Sequence, residues 1–349
     1  MSWKKLIKKI MFPGLVQDHF IGQYPFGLRE LPGGYLKSFG DLNPDKTFYV
    51  IWRDHLGSGF FSNFTQVLSH IKLAESFGMI PVVDYLNFKT LYNVAEAVNG
   101  SQNAWEYYFK QPSGFTLNEV YQSRRVFIAD GEYPKKIFFN TAKEYREFCA
   151  GHIYLQANVK ERIERYAPEI SSGRTLGVHF RGKEMNYTPG HPFAPVSEQV
   201  FSVVDSLMEE FAFNRIFILT EELLYLNAFR QRYGEKVLFT DSFRCSKVNS
   251  YNLSPRQRHR YLLGLEILAD AELLARCHGL VYSNTGPANH ALRSSKTLEV
   301  AECIDNGFNA SNYIIAKYLY DAKKLLPPHR GGLPGRIVRI INPPDADIR

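Results

Sequence analysis

The segment TLGVHFRGKEMNYTPGHPF, residues 175–193, carries the clearest fold signal in the chain. Residues 175–178 form a short apolar run, which is typical of a buried parallel strand. His179 and Arg181 follow this run, so we expect them at the carboxyl end of a strand, where open α/β sheets bind ligands. A guanidinium there forms two parallel hydrogen bonds with a phosphate, which favours Arg181 as a phosphate ligand. The alternative is that Arg181 forms a salt bridge with a neighbouring strand.

Apolar runs alternate with helical patterns on both sides of this segment. The predicted strands are 48–52, 80–84, 175–180, 215–219, 236–239 and 279–282, and the predicted helices are 63–77, 141–167, 197–211 and 254–277. Ser254 and Pro255 suit the N-cap and first residue of the last helix. The alternation predicts an α/β chain built from βαβ units.

The small residues 171–173 mark the predicted boundary between two domains. The prediction is a basic amphipathic segment at 1–16, an acceptor-side domain at 17–171, a nucleotide-binding domain at 172–310, and a C-terminal helix and tail at 311–349. Two such α/β domains facing one another leave a cleft between the carboxyl ends of their sheets, which is where we expect the active site.

The composition is that of a globular protein with a mild excess of positive charge. The 349 residues are 45% hydrophobic and 22% charged, with a formal net charge of +7, which favours anionic partners. No basic stripe with interleaved aromatics and no zinc spacing is present, so nucleic acid is only a minor alternative partner. Cys149, Cys245, Cys277 and Cys303 are scattered, which predicts isolated thiols in a reducing compartment.

The opening residues 1–12, MSWKKLIKKIMF, alternate pairs of lysines with apolar residues. This spacing predicts a basic amphipathic helix that lies on an anionic membrane surface. The alternative is a terminal helix docked on the protein itself. The segment lacks the features of a signal peptide, and no apolar run reaches about 18 residues, so we expect a cytoplasmic protein with peripheral contact at the inner membrane face.

A second signal is SNTGPANH, residues 283–290, which lies between a predicted strand and a predicted helix. Ser283 and Thr285 supply hydroxyls, Gly286 permits close backbone approach, and Pro287 suits a first helical turn. The amides of that turn would point at a phosphate. The alternative is an ordinary capped helix. The D-x-D triplet at 345–347 is a poor cation site in the last five residues, so we expect no metal.

Several segments together resemble the GT-B fucosyltransferase superfamily. These are HFRGKE at 179–184, IFILTEE at 216–222, Asp270 fifteen residues before Thr285, and VYSNTG at 281–286. The superfamily includes α1,6-fucosyltransferases, Nod-factor fucosyltransferases and protein O-fucosyltransferases, and the resemblance covers mainly residues 175–295. It implies a GT-B fold of two Rossmann-like domains and metal-independent transfer of L-fucose, with inversion, from GDP-fucose to a glycan acceptor.

The resemblance also implies roles for individual residues. Arg181 matches the arginine that grips the β-phosphate and assists the leaving group, and His179 matches the histidine of the same H-x-R motif. Asp270 matches the acid that recognises guanine. The remaining positions implied to bind the nucleotide are Glu221, Glu222, Ser283, Asn284, Thr285 and Gly286.

One departure weakens the phosphate grip. The α1,6 enzymes carry a second arginine where this chain has Gly182, so Lys183 would have to share the role.

For the catalytic base, Glu184 is the first candidate, followed by Asp54 and His191. Three alternatives remain open: transfer of another sugar from GDP or UDP, a non-catalytic nucleotide- or glycan-binding protein, and a nucleic-acid binder. The acceptor is expected to be a surface polysaccharide or a lipid-linked oligosaccharide.

Overall fold

The computed structural model describes residues 33–134, 139–182, 186–245 and 250–345. The chain divides into two compact units. Unit 1 comprises Met1–Leu56, Thr65–Lys89 and Gln111–Ile137, and unit 2 comprises Gly57–Phe64, Thr90–Lys110 and Phe138–Arg349. Each unit therefore contains segments that are not continuous in sequence.

A four-stranded sheet forms the centre of unit 1. The elements of this part of the chain are β1 (Gly34–Lys37), β2 (Phe48–Ile51), α1 (Phe60–Ser76), β3 (Ile80–Val83), α2 (Leu117–Val120) and β4 (Val126–Ala129). The strand order is β1-β4-β2-β3, with β2 parallel to both of its neighbours and β1 antiparallel at the edge.

Alternate residues of β2 pack on opposite sides of this sheet. Phe48 and Val50 belong to the buried apolar cluster, whereas the Tyr49 hydroxyl lies 2.8 Å from Nδ1 of His70 on α1. His70 Nε2 lies 2.7 Å from the carbonyl oxygen of Glu132, so Nε2 donates to it and Nδ1 accepts from Tyr49. Burial lowers the pKa of His70 to about 4. His70 is therefore neutral and holds α1 against the sheet.

A six-stranded sheet forms the centre of unit 2. Its elements are α3 (Ala142–His152), α4 (Ala157–Ser171), β5 (Thr175–His179), α5 (Ser197–Glu210), β6 (Arg215–Leu219), α6 (Leu223–Tyr233), β7 (Val237–Leu238), α7 (His259–Leu274), β8 (Gly279–Tyr282), α8 (Gly286–Ser294), β9 (Val300–Asp305), α9 (Tyr313–Leu325) and β10 (Arg336–Ile341). The strand order is β10-β9-β8-β5-β6-β7. Every pairing is parallel except that of β10 with β9.

Helices cover both faces of this sheet. Leu176 and Val178 of β5 pack in one apolar cluster with residues of α5 and α6. Gly177 points the other way, where an added Cβ would lie 2.7 Å from Leu274 Cδ1 and 3.1 Å from Cys277 Sγ. Glycine at this position thus allows α7 to pack directly on the strand, as expected for a doubly wound sheet.

The division into units differs from the boundary predicted at residues 171–173. The predicted helix 141–167 is two helices, and both belong to unit 2. The reason is packing: α4 lies against α7, and α3 lies against α8. The small residues at 171–173 mark the turn between α4 and β5 within unit 2.

Two further predictions need correction. The helix predicted from Ser254 begins at His259, after Arg258 in a left-handed conformation with φ 53°. The predicted tail contains β10, which extends the sheet from β9. The aromatic side chains of Trp105, Tyr107, Tyr108 and Phe109 are buried and belong to the core. All four cysteines are free thiols. In the described part of the chain, no helix has the length and apolar character needed to cross a membrane.

Candidate nucleotide-binding site

The carboxyl end of β5 contacts the start of α8 through a hydrogen bond between two side chains. His179, the last residue of β5, is buried, and its Nδ1 lies 3.0 Å from the Thr285 hydroxyl. Thr285 is the N-cap of α8, but its side chain makes no capping hydrogen bond to the helix because the hydroxyl is directed at His179. The two segments singled out in the sequence therefore meet at neighbouring strand ends, since β5 pairs directly with β8.

His179 is a neutral residue in this arrangement. Burial lowers the pKa of its imidazole to about 3, and the positive charge of Arg181 acts in the same direction. An uncharged imidazole hydrogen-bonded to Thr285 positions the start of α8 without adding charge. The positive charge beside this strand end is carried by Arg181.

Arg181 presents a buried hydrogen-bond donor. Its Nε is inaccessible to solvent and has no hydrogen-bond partner among the described residues. The Arg181 charge opposes the burial-driven rise of the pKa of Tyr251, whereas Glu221 reinforces that rise. Tyr251 in turn shares a hydrogen bond of 2.7 Å with the hydroxyl of Tyr92. Arg181 and Glu221 thus act on the same tyrosine with opposite sign, and the Arg181 Nε can still donate a hydrogen bond to a ligand.

The acidic pair after β6 occupies the space beside Gly182. An added Cβ on Gly182 would lie 2.7 Å from Glu222 Oε1 and 3.2 Å from Glu221 Oε1. The Glu222 amide donates to the Thr220 hydroxyl, which fixes the turn before α6. The position where the resemblance leads one to expect a second arginine is therefore filled by carboxylates.

Gly286 has a packing role that the sequence does not reveal. An added Cβ would lie 2.6 Å from the Cβ of Phe61, in the first turn of α1. The His290 ring also packs against Phe61 at a tilt of 35°, with ring centroids 4.9 Å apart. The missing side chain of Gly286 thus allows α1 to approach α8, while the backbone amide of Gly286 remains part of the first turn of α8.

Asp270 on α7 is buried among hydroxyl donors. It is 4% exposed and accepts hydrogen bonds from Thr240 Oγ1 (2.9 Å to Oδ1) and Ser242 Oγ (2.9 Å to Oδ2). Burial raises the pKa of Asp270 to about 6, although Arg162 and these hydroxyls oppose the rise. Asp270 therefore holds the loop that follows β7.

A second buried acid on α7 holds the same region one turn earlier. Glu266 accepts two hydrogen bonds from Arg256, at 2.6 and 2.7 Å, and one from the backbone amide of Phe243. Arg256 and Glu266 thus pair through two parallel hydrogen bonds. This pairing holds residues 254–258 outside the helix, which explains why α7 begins later than predicted.

Residues 240–245, held in this way, carry an arginine that no sequence pattern indicates. Nη1 of Arg244 donates to the carbonyl oxygens of Thr240 and Ser242, both at 2.8 Å. Its Nε and Nη2 are buried and have no hydrogen-bond partner within the described ranges. Burial lowers the pKa of Arg244. The only signal in the sequence is a polar stretch after a predicted strand, which is too common to single out one arginine.

The other predicted residues are placed as follows. Ser283 is buried and Asn284 is exposed; the Asn284 side chain accepts a hydrogen bond from Asn289. Lys183 and Glu184 lie outside the described residues. Asp54 is exposed in unit 1, and His191 Nδ1 lies 3.0 Å from the carbonyl oxygen of Pro189.

Several solved structures are similar in fold to this chain. The fucosyltransferase NodZ from Bradyrhizobium gives a TM-score of 0.50 at 14% identity, covering 76% of this chain and 100% of NodZ. A NodZ α-1,6-fucosyltransferase co-crystallised with GDP gives 0.50 at 15% identity, covering 85% and 99%. An Arabidopsis thaliana FUT1 mutant in complex with GDP gives 0.46 at 11% identity, covering 76% and 72%. No protein-family model and no curated protein sequence matches the chain. The likeness to NodZ confirms the predicted α/β fold of the GT-B type.

Proposed function

We propose that the chain is an inverting glycosyltransferase that moves L-fucose from GDP-fucose to a glycan acceptor without a metal ion. Two findings support this proposal: the fold is that of a fucosyltransferase, and a NodZ structure with this fold was co-crystallised with GDP. The observation that carries it is the unpartnered Nε of Arg181 at the carboxyl end of the central strand β5.

A buried N–H without a partner costs about 1–3 kcal/mol, so such a group is expected where a ligand supplies the acceptor. Phosphate oxygens suit this donor because a guanidinium binds them with two charge-assisted hydrogen bonds. In the proposed complex, Arg181 binds the β-phosphate of GDP-fucose. The first-turn amides of α8, which the Thr285 side chain does not cap, face the same diphosphate.

Arg244 supplies the second guanidinium in this proposal. Its Nε and Nη2 would bind the nucleotide diphosphate or ribose, replacing the arginine that is absent at Gly182. Fixed positive charges that await a developing negative charge stabilise a departing diphosphate without reorganisation. Leaving-group departure can therefore be assisted by Arg181, Arg244 and the start of α8.

Attack by the acceptor hydroxyl from the opposite side of the sugar would invert the anomeric carbon in a single displacement. A carboxylate within hydrogen-bond reach of that hydroxyl would take its proton. Glu184 remains our first candidate for this base, followed by Asp54 and His191.

Asp270 is our candidate for guanine recognition. An ionised carboxylate has about four acceptor sites, and Thr240 and Ser242 do not use all of them. Guanine N1–H and its 2-amino group can donate to the remaining sites, whereas adenine does not offer that pattern. Glu221 and Glu222 lie beside Gly182 and would order the loop near the phosphates.

We propose a surface polysaccharide or lipid-linked oligosaccharide as the acceptor, and a cytoplasmic location at the inner membrane face. Residues 1–12 would contact the anionic membrane surface; they lie outside the described residues. The support for this part is the alternation of lysine pairs with apolar residues in the sequence.

The direct test is calorimetric titration of the full chain with GDP, UDP and ADP. We expect a preference for GDP, a loss of about tenfold or more in GDP affinity for Arg181→Ala, and a relaxed base preference for Asp270→Ala. Arg276→Ala is the matched control, because Arg276 is a partly exposed arginine paired with Glu164. Equal affinity of the parent for all three nucleotides would contradict the proposal.

Two alternatives predict different outcomes in the same assays. If the chain transfers another sugar from GDP or UDP, Arg181→Ala still weakens nucleotide binding, but GDP-fucose is not consumed with any glycan offered. If it is a non-catalytic binding protein, GDP binds but no sugar nucleotide is ever consumed.

A further inference from the structure

Helix α9 exposes large apolar side chains on its solvent-facing side, with the exposed Asp321 between Tyr318 and Leu325. Ala316 and Tyr320 face the protein and are buried. On the opposite side, Ile314 is 70%, Tyr318 is 69% and Leu325 is 87% exposed. These three residues are spaced at four and seven positions, so they line one face of the helix.

Lysines border these apolar side chains. Lys317 Nζ lies 4.5 Å from the centroid of the Tyr313 ring, and Lys324 Nζ lies 4.5 Å from that of Tyr320. The helix carries three lysines, at positions 317, 323 and 324, against one acid, Asp321. The solvent-facing side of α9 thus carries apolar side chains bordered by lysines, and its one acid, Asp321, is paired with Lys324 at 3.8 Å.

We propose that α9 is a membrane-contact helix that lies on an anionic lipid surface, with Ile314, Tyr318 and Leu325 inserted among the acyl chains. Charge complementarity between the lysines of α9 and anionic headgroups favours a lipid surface at this site. Lysine side chains extend their ammonium groups to lipid phosphates while their stems remain on apolar surface. Tyrosine is enriched where an apolar interior meets polar headgroups.

The same lysines disfavour a protein partner. Lysine is depleted from protein–protein interfaces. In a two-fold symmetric contact of α9 with a second copy of the chain, Lys317 and Lys324 would face the same cationic patch on the partner, which is repulsive. The proposal is independent of the sugar-transfer function and of residues 1–12.

The test is co-sedimentation of the full chain with vesicles of phosphatidylcholine alone, or of equal parts phosphatidylcholine and phosphatidylglycerol. We expect binding to the anionic vesicles that weakens as salt is added. The combined variant Ile314→Ser, Tyr318→Ser and Leu325→Ser removes the exposed apolar side chains. The variant Lys317→Glu and Lys324→Glu reverses the border charge. Each should lower the partition coefficient by about tenfold or more.

Matched controls separate this helix from general charge and hydrophobicity. Lys143→Glu with Lys160→Glu makes the same charge change on exposed positions of α3 and α4, and Leu224→Ser removes an exposed leucine from α6. Both should bind vesicles like the parent. A thermal unfolding transition like that of the parent would show that the α9 variants are folded.

Three results would overturn the proposal. The parent does not bind anionic vesicles, the α9 variants bind as well as the parent, or the serine variant converts a dimeric parent to a monomer in sedimentation velocity. The second result would assign membrane contact to another part of the chain, and the third would assign the apolar side chains of α9 to contact with a second copy.

Discussion

At the scale of single residues, Gly182 shows how the local environment selects a side chain. The space that a side chain would need is occupied by the carboxylates of Glu221 and Glu222. A second arginine next to Arg181 would have to displace both. In our proposal the guanidinium of Arg244, held by the loop after β7, takes the place of this second arginine.

Substituting Gly182 tests this packing. Gly182→Ala places a Cβ 2.7 Å from the position of Glu222 Oε1, so Glu222 must move. We expect a loss of about 1 kcal/mol in the free energy of unfolding, measured by chemical denaturation, because overpacking typically costs this much or more. In a Glu222→Ala background the same change should cost almost nothing. Purely additive effects of the two substitutions would contradict the interpretation.

The raised pKa of Asp270 predicts how the stability of the fold depends on pH. Its folded pKa of about 6 lies above the usual unfolded value of about 3.9. The folded state therefore holds the proton more tightly, so the stability that Asp270 contributes is complete below about pH 4 and is lost as pH rises through about 6. We expect Asp270→Asn to gain stability relative to the parent between pH 4.5 and 7, by up to about 3 kcal/mol.

Denaturation of parent and variant at both pH values measures this difference, and a constant difference would refute the assignment. Nucleotide binding should show the opposite dependence. Guanine donors need the ionised carboxylate, so GDP affinity of the parent should fall as pH drops below about 6, and Asp270→Asn should lose this dependence.

The site residues around β5 and β8 were predictable because ligands bind at the carboxyl ends of the strands in open α/β sheets, and such strands are recognised from local sequence. His179 is the last residue of β5 and Thr285 lies three residues after β8, and adjacent parallel strands bring their ends together. The placement of Arg244 depends instead on buried acids of α7 that hold a loop about 25 residues away in sequence, as the Thr240–Asp270 and Phe243–Glu266 contacts show. Such a tertiary constraint leaves no local pattern.

At the scale of elements, the contact between α1 and α8 fixes the start of α8. Gly286→Ala would place a Cβ 2.6 Å from the Cβ of Phe61, which is not the flexible end of a side chain. We expect destabilisation of about 1–3 kcal/mol together with weaker GDP binding, because the first turn of α8 must shift. Gly151→Ala in α3 is the matched control, since an added Cβ there meets no atom within 4 Å. The control should be neutral or stabilising by up to about 1 kcal/mol.

Strands were predictable where an apolar run stands alone, as in β2, β3, β5, β6 and β8. Four strands, β1, β4, β9 and β10, were not predicted, and β4 and β10 illustrate two different reasons. β4, with sequence VFIA, lies in an irregular stretch without a helical pattern beside it, although Asp130 and Gly131 directly after it are a turn signal. β10, with sequence RIVRII, places Arg339 between Glu302 and Glu210, so charged residues interrupt the apolar pattern of an edge strand.

At the scale of the whole molecule, the groups assigned to the donor all belong to unit 2. Arg181, Arg244, Asp270 and Thr285 lie within Phe138–Arg349. We expect GDP to slow hydrogen–deuterium exchange mainly at the carboxyl ends of β5 and β8, at the start of α8 and in residues 240–245. Equal or greater protection of the sheet of unit 1 would contradict this assignment.

The discontinuous make-up of unit 2 limits how the protein can be dissected. Tyr261 stacks on Tyr108, and the Tyr251 hydroxyl shares a hydrogen bond with the Tyr92 hydroxyl. Tyr108 and Tyr92 both come from the segment Thr90–Lys110 of this unit. A fragment produced by cutting once near residue 172 would lack these rings, along with Phe61 against α8. Anyone exchanging donor specificity by grafting parts between proteins of this fold must therefore transplant Gly57–Phe64 and Thr90–Lys110 together with Phe138–Arg349.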